Sequence, residues 1–544
     1  RHPLGTALSL LAAVAVATAL LVATQETRRA RRHLAEARAL AHAILTEYPE
    51  QIAELPGSLP IQARMVRDAL RYLDSLREVA GKDGALSHEL GVGFLRIGDL
   101  QGNPYSANLG DFGGARNSYQ QAHLALDQWL RLSPDAAGSA VLQARLSARM
   151  AALDHQQTRL VESDRGFRKA LAEFAALAAA DRDAGVLLEH ATTLDLYGDL
   201  LGNSEQASLL DIEAGAAQHA AARQLLTEAL QRFPQDGRLR MAYALTLLRA
   251  GDDAFFARDL VRADATYRQS TQLIEALLAE QPGRIALRLE LANTHSRLAQ
   301  VLDLDGKLDG AIAAAAQSVA IVESLLDSDP TNDQLRQGAG AGLGILAKML
   351  IRSGRFAEAG PIVDRQIAVN QRRLEATSGN AEAVLALSLG YRRRGEQRLG
   401  LKNFAGAQQA HEQALQLQAR IAADSVDNES HRALTLLHLG RVAGAAGDRT
   451  GAEKRLTEAI AAMSALVTAH ADVAVYLEDL IDAEDALGDT LIDPAAARPH
   501  YLRAIELIDS FAESGELAPA FIQRRAELAG KAASAQRRNS AGHR

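Results

Sequence analysis

The sequence predicts an all-α protein, one N-terminal transmembrane helix followed by an α-solenoid of about nine stacked helix pairs. Three observations predict it. Of 544 residues, 48% are apolar and only 4% aromatic, with 13 Pro in the whole chain; a chain this rich in Ala and Leu is a helix former. A small residue then recurs at a nearly fixed interval, as Ala263, Ala311, Ala359, Ala407, Ala452 and Ala497, in steps of 48, 48, 48, 45 and 45 residues. A period of that size marks a stack of like units, not one globular core. Finally, Leu4 to Ala23 carries no charge. As a helix it spans about 30 Å, the thickness of a bilayer core.

Taken in order, the chain opens on Arg1, not Met, as expected of a piece of a longer protein. The Leu4–Ala23 run is long for a signal peptide and no small-residue cleavage site closes it, so a retained span is the expectation. Arg28, Arg29, Arg31 and Arg32 follow, and arginines on that side predict that it is cytoplasmic. A polar helical pattern continues as a stalk until Leu55-Pro56-Gly57-Ser58-Leu59-Pro60 breaks it. A second helix is expected from Ile61 to Glu78, with Met65, Ala69, Leu70, Leu73 and Leu76 on one face. The expected organisation is a span and flank over 1–26, a juxtamembrane stalk over 27–84, helix pairs over 85–515, and a capping helix with a disordered tail over 516–544.

Within the periodic stretch, the residues four after each alanine are Tyr267, Ala315, Val363, His411, Leu456 and Tyr501, and those seven after are mostly small. These positions share one helix face. Upstream lies a second apolar helix and a turn glycine, as in Leu439-Gly440, Gly447, Ala452, Leu456 and Ala459, or Leu346, Ala347, Gly354, Phe356 and Ala359. The glycine fits a left-handed exit from the first helix. The spacing resembles the tetratricopeptide repeat, lengthened from 34 to about 48 residues by roughly two turns on each helix. Pro134, Pro234, Pro282 and Pro330 each stand 19 residues after the small position and predict where second helices stop. Projected backwards, the register places Ala115, Gly166 and Gly215 in the same slot. Gly98-Asp99-Leu100-Gln101-Gly102-Asn103 also recurs as Gly198-Asp199-Leu200-Leu201-Gly202-Asn203.

The apolar span, the arginine-rich helix, Leu-Pro-Gly-Ser and the helix Arg67-Asp68-Ala69-Leu70-Arg71-Tyr72-Leu73-Asp74-Ser75-Leu76 resemble the juxtamembrane region of bacterial Hanks-type serine/threonine kinases. The resemblance implies a kinase domain before the span and a sensor array after it, outside the cytoplasm, which opposes the arginine rule. The kinase half is absent from this sequence. The resemblance thus implies either a membrane-anchored scaffold for protein–protein interaction at the inner membrane, or a full-length kinase whose catalytic domain lies upstream.

Charge and motifs narrow the remaining classes. Lys plus Arg is 59 against 67 Asp plus Glu, a formal net charge of −8, which argues against nucleic acid as a partner. With no Cys, thiolate metal sites, thiol nucleophiles and disulfides are excluded. The fifteen His show no paired metal-ligand spacing, and no cofactor or catalytic constellation is expected. Asp111-Phe112-Gly113 spells a kinase metal-binding triplet but has no catalytic-loop or glycine-loop companion, so it reads as coincidence. Gly338, Gly340, Gly342 and Gly344 mimic a phosphate loop without a preceding strand, and close helix packing is the expectation. Arg392, Arg393, Arg394 and Arg398 read as a solvated face, with an anionic peptide contact as the alternative. First helices line the binding face of such arrays. The tetratricopeptide resemblance implies Ser296, Gln300, Lys348, Arg392 and Arg441 as groove positions for a protein or peptide ligand.

Overall fold

The computed structural model describes Ile52 and residues 57–542, apart from 82, 104–107, 135–137, 178–181, 203–207, 210, 377–379, 423–424, 471–473 and 513–518. The Leu4–Ala23 span, the four arginines after it and the expected stalk before Ile52 lie outside the described residues. Among the described residues all regular structure is helical. The chain divides into two compact units, with the boundary between Glu290 and Leu291.

In the first unit, α1 (Leu59–Ala80) precedes four pairs: α2 (Gly84–Gly102) with α3 (Phe112–Leu132), α4 (Ser139–Gln156) with α5 (Leu160–Ala176), α6 (Ala184–Gly202) with α7 (Ile212–Arg232), and α8 (Gly237–Phe256) with α9 (Leu260–Glu280). The expected helix from Ile61 is therefore present, and it buries Val66, Ala69, Leu73 and Leu76 in the core of the first pair. It does so closely: a Cβ on Gly93 of α2 would lie 2.8 Å from Leu73 Cδ2.

The fifth pair is α10 (Ile285–Leu304), in which the boundary falls, and α11 (Leu308–Ser328). The second unit continues with α12 (Asp333–Arg352) and α13 (Phe356–Ala376), α14 (Ala381–Gly400) and α15 (Phe404–Gln418), α16 (Val426–Ala445) and α17 (Arg449–Ala469), and α18 (Ala474–Thr490) and α19 (Pro494–Ala512). A last helix, α20 (Pro519–Gly542), packs Leu528, Ala532 and Ala535 into the core of the final pair. Its helix reaches Gly542, where the sequence suggested a fading tail. Among the described helices α11 is long and apolar enough to cross a membrane. Its apolar content is instead explained by burial of Ala311, Ile312, Ala315, Val319, Val322 and Leu325 between neighbours.

The local rules that shape each pair repeat. Five second helices begin on an Asp or Asn cap. Asp111, Asp211, Asp259, Asn403 and Asp448 each accept an N–H three residues on, at 2.8–3.1 Å, which satisfies an otherwise orphan donor. This places Asp111-Phe112-Gly113 at a helix start: Asp111 is the cap and Phe112 packs on the first core. Helices α3, α7, α9 and α11 end at Leu132, Arg232, Glu280 and Ser328, two residues before the prolines that mark their stops. The Gly338–Gly344 series lies inside α12, where Cβ atoms on Gly340 and Gly344 would meet Asn370 and Gln366 at 2.3 and 2.6 Å. Close packing is the reason for these glycines.

First helices leave through a left-handed residue five positions before the small slot. Gly306, Gly354 and Gly447 hold it at φ 74°, 75° and 87°, and Thr158, Arg258 and Lys402 at 55°, 61° and 58°. A side chain there costs about 1–2 kcal/mol, partly offset because glycine loses more freedom on folding. The exposed Lys402 gives the cleanest test: Lys402→Gly should stabilise the second unit by about 0.5–1 kcal/mol, read as a raised urea midpoint.

That landmark also corrects one register assignment. Five residues after Thr158 stands Ser163, not Gly166. Ser163 N donates to Arg159 O, as Ala115 N does to Asp111 O and Gly215 N to Asp211 O. Ser163 is fully buried and its hydroxyl donates to Ala151 O at 2.9 Å. The slot therefore runs Ala115, Ser163, Gly215, Ala263. Gly166 instead lets α4 and α5 approach, since a Cβ there would lie 2.8 Å from Ala151 Cβ.

Candidate functional site: the first-helix face

Each first helix meets its second helix at one central residue. In six pairs it is glycine, and a Cβ there would collide with the residue four after the small slot. The contacts are Gly98 with Tyr119 (2.4 Å), Gly198 with His219 (2.4 Å), Gly251 with Tyr267 (2.4 Å), Gly395 with His411 (2.3 Å), Gly440 with Leu456 (2.6 Å) and Gly488 with Tyr501 (2.5 Å). Where the first helix has Ala299 or Ala347, the opposing residue is small or β-branched, Ala315 or Val363, and all four are buried. The variability of that position is thus size matching across the crossing. Phe167 opposite Ala151 is accommodated by Gly166.

The residue after the central glycine follows a polarity rule. Asp99, Asp252 and Asp489 accept the hydroxyls of Tyr119, Tyr267 and Tyr501 at 2.9, 2.5 and 3.0 Å. Asp199 lies 3.3 Å from Nε2 of His219. Where the opposing residue is apolar, the position carries Gln300, Lys348 or Arg441 instead, and Ala152 opposite Phe167. These carboxylates also tie neighbouring pairs together. Arg149 reaches Asp99 at 2.9 Å and Arg249 reaches Asp199 at 3.0 Å. The Asp99, Arg149, Asp199, Arg249 alternation at 50-residue steps was the sequence signal for these rungs. An unaligned reading misses it because the donor and acceptor belong to different repeats.

In the first unit the rungs converge on a buried cluster. His219 is 5% exposed and lies between Asp199 and Asp253, the latter at 2.9 Å from Nδ1. Burial alone would lower its pKa, but hydrogen bonds and charge from Asp199 and Asp253 hold it up at about 10. Beside it, burial pushes Asp195 up to about 6 despite Arg249 and the Thr246 hydroxyl, which donates at 2.6 Å. This cluster is structural: it is enclosed and its charges face each other.

The five groove positions lie in the second unit, with different surroundings. Ser296 and Gln300 on α10 are half-buried. Lys348 on α12 is exposed and lies 3.9 Å from Asp303, which Arg352 engages at 2.6 Å. Arg441 on α16 pairs with Asp482 at 3.1 Å. Arg392 on α14 is only 6% exposed, so the reading of the Arg392–Arg394 run as a solvated face is corrected. Arg393 engages Glu396 at 2.8 Å, and Arg394 bonds Asp364 and stacks over Tyr391. Around Arg392 three histidines converge. His411 and His438 stack with ring centroids 5.5 Å apart, and His431 Nδ1 lies 3.4 Å from an Arg392 amine. Burial pushes His411 and His431 down to about 4, so both rings are neutral at pH 7. Glu396 resists burial through Arg393 above all, which keeps its pKa well below the usual carboxylate range. On the far side, α20 lays Arg524 on Asp482 and Asp485 at 2.9 Å and Lys531 on Asp485 and Asp489 at 2.6 and 2.7 Å. Sequence reasoning read this stretch as a capping helix fading into a tail and did not anticipate these ion pairs. Among the described residues no group of three or more His, Cys, Asp or Glu has a geometry that could hold a metal ion.

The crossings, caps and left-handed exits define the class: an all-α array of tetratricopeptide-type helix pairs. No family model matches the sequence, and no curated protein does. Similar solved structures include a tetratricopeptide repeat protein from Parabacteroides merdae (16% identity, 60% of this chain and 93% of that chain, TM-score 0.30). Aspartyl phosphate phosphatase F from Bacillus subtilis (9%, 73% and 92%, TM-score 0.43) and yeast Tom70 (14%, 87% and 96%, TM-score 0.31) are others.

Proposed function

We propose that the chain is a membrane-anchored scaffold that binds protein partners on the first-helix face of its second unit. The observation that carries this reading is the character of that face. First helices of this unit place polar or charged residues, Gln300, Lys348 and Arg441, in the position that elsewhere holds a carboxylate committed to its own pair. Released from that duty, Gln300 and Lys348 offer side chains to a ligand, while Arg441 is shared with Asp482. Such a face suits an extended or helical peptide laid across several helices. The Leu4–Ala23 run supplies the anchor, and the juxtamembrane resemblance supports a sensor region coupled to a serine/threonine kinase, with the array outside the cytoplasm.

Two measurements test this. Photo-crosslinking residues at Gln300 and Lys348 in the full-length gene product should trap a discrete partner in cells. The same probe at the exposed Glu412 on α15 should trap none. Equal labelling at all three positions would count against the face. Reporters active only in the periplasm or only in the cytoplasm, fused near Gly515, should report the outside. A cytoplasmic result would remove the sensor reading and leave a cytoplasmic scaffold.

A further inference from the structure

Most side chains that face a central glycine are either apolar or satisfied. Tyr119, Tyr267 and Tyr501 donate to a carboxylate, and His219 stands between two of them. His411 holds the same place against Gly395 and is fully buried. Neither of its ring nitrogens has a hydrogen-bond partner among the described residues. A neutral imidazole carries one N–H, so this crossing contains an unmet donor. A charged ring in the same place would be costlier still. His219 and His411 thus occupy one slot in opposite electrostatic settings.

His411 belongs to a cluster. Its ring stacks on that of His438 from α16, with centroids 5.5 Å apart and planes 5° from parallel. His431, also on α16, sets Nδ1 3.4 Å from an Arg392 amine. The arginine can only donate there, so Nδ1 must be the acceptor, and a proton on it would turn the hydrogen bond into two cations in contact. From α14 the cluster receives Arg392, Arg393 and Glu396. Glu396 lies 2.8 Å from Arg393, 3.3 Å from His438 Nε2 and 3.6 Å from Arg392 Nε. The charge of Arg441 on α16 acts on His438, that of Asp479 on α18 acts on Arg392, and Lys348 on α12 feels Arg393 and Glu396. Asp364 on α13 is taken up by Arg394.

We infer that α14, α15 and α16 form an acid-opened joint, in which protonation of His411, His431 and His438 drives the α14–α15 pair away from the α16–α17 pair. With the rings neutral, Arg392 and Arg393 face Glu396. With the rings charged, the same enclosed volume holds three more cations and no further anion. Burial holds His411 and His431 at about 4 and His438 well below its ordinary value, against about 6.5 once opened. The closed state therefore keeps its full stability above about pH 6.5 and loses it as pH falls towards 4. At pH 5, His411 and His431 each raise the open-to-closed ratio about twentyfold over its value at pH 7. Asp479, which burial pushes up to about 7, works the other way, favouring the closed state by about fiftyfold over that interval. The two histidines outweigh it by about tenfold, and His438 widens the margin. Because α14 and α16 are first helices, opening would alter the first-helix face, but the joint does not rest on that face binding a partner.

The test is hydrogen–deuterium exchange of the full chain in neutral-lipid nanodiscs at pH 7 and pH 5, read by mass spectrometry and corrected for the intrinsic effect of pH on exchange. Exchange over α14–α16 should rise by about tenfold or more in acid. Exchange over α7 should not, because His219 there is already charged at pH 7. Unchanged exchange over α14–α16, or an equal rise over α7, overturns the inference; an equal rise would be general acid loosening. Two variants identify the titrating groups. His431→Gln keeps an acceptor for Arg392 but cannot titrate, and His411→Leu repeats the Gly440–Leu456 crossing. Each should fold at pH 7 by circular dichroism and lose most of the acid response. A response as large as the native one in both variants would overturn the assignment to these histidines.

Discussion

Replacing His219 by leucine should destabilise the first unit by about 2–4 kcal/mol at pH 7. Leucine separates charge from packing, because the Gly440–Leu456 pair shows that it fits opposite a central glycine. What the substitution removes is a cation between two carboxylates, Asp199 at 3.3 Å and Asp253 at 2.9 Å. Asp199 keeps Arg249 at 3.0 Å, but Asp253 loses its partner, and its 21% side-chain exposure holds the cost below that of a fully buried charge. The same residue sets a pH dependence. Its folded pKa, about 10, lies above the unfolded value of about 6.5. Its contribution is therefore complete below about pH 6.5 and is lost as pH rises through about 10. Urea unfolding of the native protein should show stability falling between pH 7 and 10, and His219→Leu should lack that component. A variant that loses as much stability over this interval as the native protein would show that His219 is not the titrating group.

The sequence made visible whatever repeats within one helix. The small slot, the glycine exits at Gly306, Gly354 and Gly447, and the proline stops are strictly local features, and each is where its physics requires. What depends on two helices at once was harder to see. Tyr119 and His219 are explained only by Gly98 and Gly198, which lie 17 residues before the slot because of the longer connections, whereas the usual distance is 12. The weak second repeat misled for a related reason. Its left-handed exit is Thr158 and its small slot is Ser163, so the two glycine and alanine landmarks are both missing, and Gly166 drew the register by three residues. The first-helix face was legible in part. Ser296, Gln300, Lys348, Arg392 and Arg441 do lie on first helices, but burial separates Arg392 from the rest. No spacing rule reports that α16 and α18 close over it with His431 and Asp479.

Gly440→Ala should cost the second unit about 1–3 kcal/mol, and adding Leu456→Val should return most of it. The new Cβ would lie 2.6 Å from Leu456 Cγ and 2.8 Å from Cδ2, closer than packed carbons tolerate, so one helix or the leucine must move. Helix propensity works the other way, favouring Ala over Gly by about 1 kcal/mol, so any net loss is steric. Leu456→Val alone should cost about 1 kcal/mol through the lost methylene. Together the two changes recreate the native Ala347–Val363 crossing of α12 and α13 in the same unit, where both residues are buried. The coupling energy in a double-mutant cycle of urea midpoints should therefore be favourable by about 1–3 kcal/mol. Additive losses would mean that the residue four after the slot is not chosen by the glycine it faces. The apolar pair is the right place to ask. At Gly98–Tyr119 or Gly488–Tyr501 the same trimming would strip a hydroxyl from Asp99 or Asp489, and the cost of that lost hydrogen bond would mask the relief of the crossing.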